Sequence, residues 1–163
     1  CYNMPMDVLH VGISMYSPMK YFELAGSGKH IEIVGLGCLR HIGMRFAKAF
    51  GTNVTVVSST ARKCKNALEN LGADGFLLST DEDQMQAVMG TMDGIIDTAH
   101  TKKIIDTASS SHLILPLIGL LRPNGKLVLL GVIEKPFDLP VFSLIMDICI
   151  TYINIKKIYC FNY

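Results

Sequence analysis

The chain has 163 residues, of which 50% are hydrophobic and 18% charged, with a formal net charge of +1. That length supports one domain with a real core, and the composition excludes a disordered chain. Lys and Arg are spread along the sequence and leave no nucleic-acid footprint, and the longest apolar runs fall far short of a membrane span. The first strand signal is the buried-type run at 31–34, followed by Gly35-Leu36-Gly37. Leu39, Ile42, Gly43, Phe46, Ala47 and Phe50 then recur at helical spacing, and Gly51 suits the helix C-terminus. A second strand is expected at 53–57. Cys64, Ala67, Leu68 and Leu71 mark the next helical face, stopped by Gly72. Residues 75–78 read as a short strand, Thr80 with Asp83 as a helix start, and Met85, Val88 and Met89 as that helix's apolar face. A fourth strand is expected at 94–98. A helix follows at 113–121, with Pro116 acceptable only near its first turn. Arg122-Pro123-Asn124-Gly125 reads as a turn and 126–131 as a fifth strand.

This alternation implies an α/β fold: a Rossmann-type doubly wound parallel sheet, incomplete, with helices on both faces. In such sheets a ligand sits beyond the carboxyl ends of the strands. Gly35, Ser58, Thr98 and Gly131 lie at such ends and are expected to converge on one crevice. Two segments fit less smoothly. Ile95-Ile96-Asp97-Thr98-Ala99 recurs as Ile104-Ile105-Asp106-Thr107-Ala108, and only one copy can fill the fourth strand. The tail from residue 148 is rich in Ile and Tyr, with Lys156 and Lys157 its only charges. It can pair as a strand, and it has the profile of an aggregation-prone edge.

The five cysteines, Cys1, Cys38, Cys64, Cys149 and Cys160, are odd in number and lack Cys-x-x-Cys spacing. They argue against a disulfide framework or structural zinc site and for reduced thiols in a reducing compartment, hence a cytoplasmic location. No signal peptide or lipidation motif is visible. The start at Cys1 reads as part of a longer product.

Strand, tight turn and helix in direct succession form a site where backbone N–H groups and a helix N-terminus can hold a pyrophosphate. Gly35, Leu36, Gly37, Cys38 and Leu39 are the candidate loop residues. The pattern asks for glycine at position 40, and this chain has Arg40. Forced inward, that side chain should cost about 1–3 kcal/mol, and a cation in the first helical turn is unfavourable by about 0.3–1 kcal/mol without an anion. The expectation is therefore that Arg40 rotates outward. The second strand runs into Ser58-Ser59-Thr60-Ala61-Arg62-Lys63, with no acid where a free ribose hydroxyl would want one. Hydroxyls followed by cations suit a 2′-phosphate, which favours NADP(H) over NAD(H). The plainer reading, helix capping by Ser59 or Thr60, is compatible with that role. His10, His30, His41, His100 and His112 are scattered and form no catalytic set. Cys38 reads as a small tolerated residue.

The segments Tyr16-Ser17-Pro18-Met19-Lys20-Tyr21, Gly28-Lys29-His30-Ile31, Gly35-Leu36-Gly37, Phe46-Ala47-Lys48-Ala49-Phe50-Gly51, Leu71-Gly72-Ala73-Asp74, Asp93-Gly94-Ile95-Ile96-Asp97-Thr98, Pro116-Leu117-Ile118-Gly119, Asn124-Gly125-Lys126-Leu127 and Glu134-Lys135-Pro136 resemble the plant cinnamyl alcohol dehydrogenases. These are zinc-dependent medium-chain alcohol dehydrogenases. The resemblance runs over roughly residues 3–146 and implies NADPH-dependent interconversion of an aldehyde and an alcohol, a small-molecule substrate, and no nucleic-acid or membrane partner. It places Gly35 and Gly37 in the pyrophosphate loop, Ser58, Ser59, Thr60 and Lys63 in the 2′-phosphate pocket, and Thr98 beside the nicotinamide, with Thr107 as a rival. It implies zinc in the intact family, but the ligands precede this region, so no catalytic or metal-binding residue is expected here. His10 alone cannot make a zinc site. The domain reading that follows is 1–27 as a link to the missing catalytic domain, 28–146 as the dinucleotide-binding domain and 147–163 as a divergent tail. A homodimer stays open. The competing hypothesis is a non-catalytic, cofactor-binding or dimerising remnant. A methyltransferase using a similar glycine turn is disfavoured by the end of the second strand.

Overall fold

Short aliphatic and β-branched runs, each followed by a helical or turning segment, assemble into a parallel sheet. The computed structural model describes residues 5–35, 38–98, 111–131 and 148–154, with side chains excepted at 5–11, 38, 39, 111–113, 131 and 152–154. Its elements are α1 (Pro5–Tyr21), β1 (His30–Val34), α2 (Cys38–Ala49), β2 (Asn53–Ser58), β3 (Gly75–Leu78), α3 (Glu82–Ala87), β4 (Met92–Asp97), α4 (Ser111–Leu120), β5 (Leu121–Gly131) and β6 (Cys149–Asn154). The strands lie in the order β3-β2-β1-β4-β5-β6, all pairs parallel. This is the dinucleotide-binding strand order, with its topological switch point between β1 and β4. The expected α/β doubly wound class is therefore the observed one.

Successive side chains of a strand point to opposite faces, so each sheet face collects alternate residues. Ile31, Ile33, Val54, Val56, Ile96, Val128 and Leu130 pack with Met15 and Met19 of α1 and Met44 and Ala47 of α2. Val57, Ile95, Leu127 and Leu129 pack on the other face with Met85 of α3 and Ile114, Leu117 and Ile118 of α4. Helices on both faces explain why β4 is buried along its whole length. Helix α1 is not visible as a helix in the sequence pattern. It is held to α2 by Tyr16 against Phe46, with ring centroids 5.8 Å apart, and by Lys20 over the Phe50 ring at 4.6 Å.

Several local expectations are corrected. The helical segment expected at 64–71 is present in altered form: a 3-10 turn at Ala61–Lys63 leads into it, and Asn66–Asn70 is a π-helical turn. Asp81, not Thr80, caps α3, and its carboxylate accepts the Gln84 N–H at 3.1 Å. Pro116 lies inside α4 rather than in its first turn; it is exposed, so its ring faces away from the sheet. The turn at 122–125 is a bulge inside β5: Leu121 pairs with Met92, and pairing resumes with Lys126 against Gly94. Asn124 takes a φ of 65° there, a conformation that Asn tolerates better than most residues. The first Ile-Ile-Asp-Thr copy fills β4 and its end, while the second lies outside the described residues. Five expected strands become six because Cys149–Asn154 of the tail pairs with β5.

At the amino ends of the strands, buried Asp93 gathers three elements. Its carboxylate accepts the His30 N–H at 2.8 Å and forms ion pairs with Lys29 and Arg122. Asp93→Ala is expected to lower stability by about 1–3 kcal/mol, the range for lost hydrogen bonds to a charged group, as read by urea unfolding. It should leave nucleotide affinity unchanged, because the ligand end of the sheet is opposite.

Glu32 carries the opposite kind of burial. It is fully buried in β1, and neither carboxylate oxygen has a hydrogen-bond partner. Burial, then the charge of Asp97, pushes its pKa up from 4.5 to about 8. A carboxyl with a raised folded-state pKa favours folding fully below the unfolded value and loses that contribution as pH rises through the folded one. Stability should therefore fall between about pH 4.5 and 8. Glu32→Val should remove that slope and raise stability at pH 8 by about several kcal/mol, since each tenfold change in proton affinity corresponds to about 1.4 kcal/mol. Urea midpoints at pH 5 and pH 8 measure this, and equal slopes for both proteins would refute it.

Candidate functional site

The register of β1 sets the geometry of the ligand end. Val34 pairs with Val57 of β2 on one side and Asp97 of β4 on the other. Gly35, Ser58 and Thr98 are the next residues along these three chains and so lie side by side at the carboxyl ends. Gly35 has a φ of 119°, where a side chain would be strained, and from it the backbone leaves β1 toward α2. Thr98 is fastened to the same place. Its N–H and its hydroxyl both donate to the Val34 carbonyl oxygen, at 2.8 and 2.7 Å. Gly131 ends β5, two residues beyond Leu129, which pairs with Asp97. Leu36 and Gly37 lie outside the described residues. Cys38 and Leu39 open α2, and only their backbone is described.

The end of β2 is polar and cationic. Ser58 is buried, and its hydroxyl oxygen accepts the Thr60 N–H at 3.3 Å. Thr60 occupies the cap position of the 3-10 turn, but its side chain makes no cap hydrogen bond. Pure capping therefore does not account for the Ser58-Ser59-Thr60 run. Ser59 is exposed and Lys63 half-buried. The Lys63 ammonium is held below its usual pKa by desolvation and then by the charges of Arg40 and Arg62.

The outward rotation expected for Arg40 is corrected. Its residue exposure is 3%, and Nη1 donates to the Gly35 carbonyl oxygen at 3.4 Å. The stem is long enough to bring the guanidinium back under the turn, where a carbonyl offers an acceptor. That acceptor is insufficient: the Arg40 Nε is buried with no hydrogen-bond partner. Desolvation lowers the Arg40 pKa. Periodicity at 39–50 made a buried Arg40 look improbable, and only the charge run at 62–63 hinted that further cations gather here.

The arrangement is a strand-end crevice with a helix N-terminus, small hydroxyls and cations, which is chemistry for an anionic nucleotide. Among the described residues no three His, Cys, Asp or Glu side chains are grouped to hold a metal ion.

Sequence comparison identifies the same architecture by a separate route. The profile of the zinc-binding dehydrogenases matches residues 38–159. The chain belongs to that family. It is 69% identical over 139 residues to an Arabidopsis thaliana protein named "Probable cinnamyl alcohol dehydrogenase 6", covering 85% of this chain and 36% of that one. A Fragaria ananassa protein named "Probable mannitol dehydrogenase" is 52% identical over 148 residues, covering 88% and 39%. Among solved structures, a cinnamyl alcohol dehydrogenase of Sorghum bicolor superposes with a TM-score of 0.76 at 42% identity, covering 87% of this chain and 38% of that one. A Helicobacter pylori relative described as complexed with NADP(H) superposes with a TM-score of 0.67 at 27% identity, covering 90% and 40%. The chain thus spans under two fifths of the length of these two plant dehydrogenases. Its described part is the parallel sheet, with β1 ahead of the residue-38 helix and β2 to β6 after it. None of its described helices is long and apolar enough to cross a membrane.

Proposed function

We propose that this chain is the cofactor-holding part of an NADP(H)-dependent oxidoreductase that interconverts an aldehyde and an alcohol of the cinnamyl alcohol type. The observation that carries this reading is the end of β2, where Ser58, Ser59 and Thr60 are followed by Arg62 and Lys63 with no carboxylate among them. A carboxylate there would receive ribose hydroxyls, whereas hydroxyls and cations suit a 2′-phosphate. The buried, unpartnered Arg40 Nε supports a fit to an anionic group in the same crevice.

When bound, NADPH supplies the hydride. The residues of this chain act by holding and orienting. The unpaired N–H groups at the start of α2 face an anion, and the bend at Gly35 sets the approach of the backbone to it. In this reading Ser58, Ser59, Thr60 and Lys63 take the 2′-phosphate, and Leu36, Gly37, Cys38 and Leu39 are assigned to the pyrophosphate turn from the sequence. Thr98, tied to Val34, and Gly131 border the nicotinamide end. The described residues do not fit a zinc ion, and no step is assigned to one. The same reading takes residues 28–146 as the dinucleotide-binding domain, with α1 of the 1–27 link packed on its sheet and β6 of the 147–163 tail paired to β5. It places the protein in the cytoplasm and in phenylpropanoid and lignin chemistry. A homodimer is compatible with it, since β6 ends the described sheet as an edge strand.

A second reading, a non-catalytic cofactor-binding or dimerising remnant, draws on two buried charged residues without adequate partners, Glu32 and Arg40. Calorimetric titration of the purified chain separates the two. The first reading expects a micromolar Kd for NADPH, at least tenfold weaker binding of NADH, and no aldehyde reduction by the chain alone. Absence of binding by either nucleotide supports the remnant, and zinc-dependent turnover of coniferaldehyde by this chain would overturn the assignment of no catalytic residues.

A further inference from the structure

Arg40 is a costly residue in its position. Its guanidinium is buried, one nitrogen makes a long bond to Gly35, and Nε has no partner. Burying an ionised group without full compensation is expensive. Desolvation first, and then the charges of Arg40 and Arg62, lower the pKa of the Lys63 ammonium. Ion pairs among the described residues involve none of these three cations. Gly35, whose carbonyl receives Arg40, lies beside Ser58, so the buried guanidinium adjoins the segment that carries Arg62 and Lys63.

We propose that Arg40 is a specificity-determining phosphate ligand: with Arg62 and Lys63 it forms a three-cation cluster that takes the 2′-phosphate dianion of a phosphorylated adenine nucleotide. This rests on the cofactor reading above and adds a residue that the family pattern, with glycine there, does not supply. A guanidinium carries several donors in a fixed fork and matches phosphate oxygens better than an ammonium does. In the free chain Nε is buried and has no acceptor; in the complex the stem turns the guanidinium toward the crevice to meet a phosphate oxygen. The repulsion that Arg40 and Arg62 add at Lys63 is relieved at the same time. The first helical turn then holds a cation beside an anion, and the unfavourable interaction with the helix dipole is offset.

The test is calorimetric titration of the full chain with adenosine 2′,5′-bisphosphate and with ADP, in the wild type, Arg40→Met, Arg40→Gly, Arg40→Lys and Arg40→Gln, each checked for folding by circular dichroism. The wild type should prefer the bisphosphate at least tenfold. Arg40→Met and Arg40→Gln should lose most of that preference with ADP affinity unchanged, and Arg40→Lys should keep part of it. The Lys and Gln pair decides the matter if the Met variant does not fold. Unchanged bisphosphate affinity in the neutral variants, equal loss for both ligands, or tighter binding by Arg40→Gly would each overturn the proposal, the last by showing that Arg40 obstructs the turn. A wild type that binds NADPH while the neutral variants lose nothing removes only the role of Arg40. If neither the wild type nor Arg40→Gly binds any of these nucleotides, the cofactor reading falls with it.

Discussion

The parallel pairing of β1 with both β2 and β4 is the constraint on which the rest depends. Hydrogen-bond register leaves the strands no freedom to slide, because a one-residue slip would turn every core side chain to the other face. Ile31 and Ile33 are buried against α1 and α2, while Ile95 and Val57 are buried on the opposite side. Once that register holds, Gly35, Ser58 and Thr98 arrive together at one end of the sheet. Two hydrogen bonds from Thr98 to the Val34 carbonyl oxygen, one donated by its N–H and one by its hydroxyl, reinforce the alignment at its last rung.

The two ends of the sheet are treated differently by the sequence. At the amino ends, Asp93 is buried but compensated by Lys29, Arg122 and the His30 N–H. At the carboxyl ends, Asp97 closes β4 beside Val34, and Arg40, Arg62 and Lys63 gather near the end of β2. Paired charge at one end fastens strands, whereas at the other the buried Arg40 Nε has no hydrogen-bond partner. Glu32 belongs to neither group: it is buried in the middle of β1, with no hydrogen-bond partner and Asp97 as an unfavourable neighbour. Its effect is on stability, and nothing in the crevice calls for it.

Membership of the zinc-binding dehydrogenases and the superposition on a sorghum cinnamyl alcohol dehydrogenase agree with this division of labour. A sheet that holds a nucleotide needs few reactive side chains. It needs a bend that lets the backbone approach, a helix start and a polar strand end. That is why the candidate crevice contains glycines, hydroxyls and cations rather than an acid–base pair.

Much of this was readable from residues 31–131 alone, since alternating apolar runs and turn residues determine fold class wherever both sheet faces must be buried. The polar end of β2 was equally plain, because Ser58 through Lys63 are consecutive. Other features needed the folded chain. Helix α1 has no clean apolar stripe and becomes a helix through its contacts with Phe46 and Phe50. The turn at 122–125 became a bulge because both flanks found pairing along β4. The tail found its place as β6 only when β5 offered an open edge. The direction taken by Arg40 was decided last. Helical spacing predicts where a residue sits on a helix, but a long flexible stem lets the guanidinium choose its end point, and that choice depended on the Gly35 carbonyl, five residues back at the bend that the folded chain makes as it leaves β1.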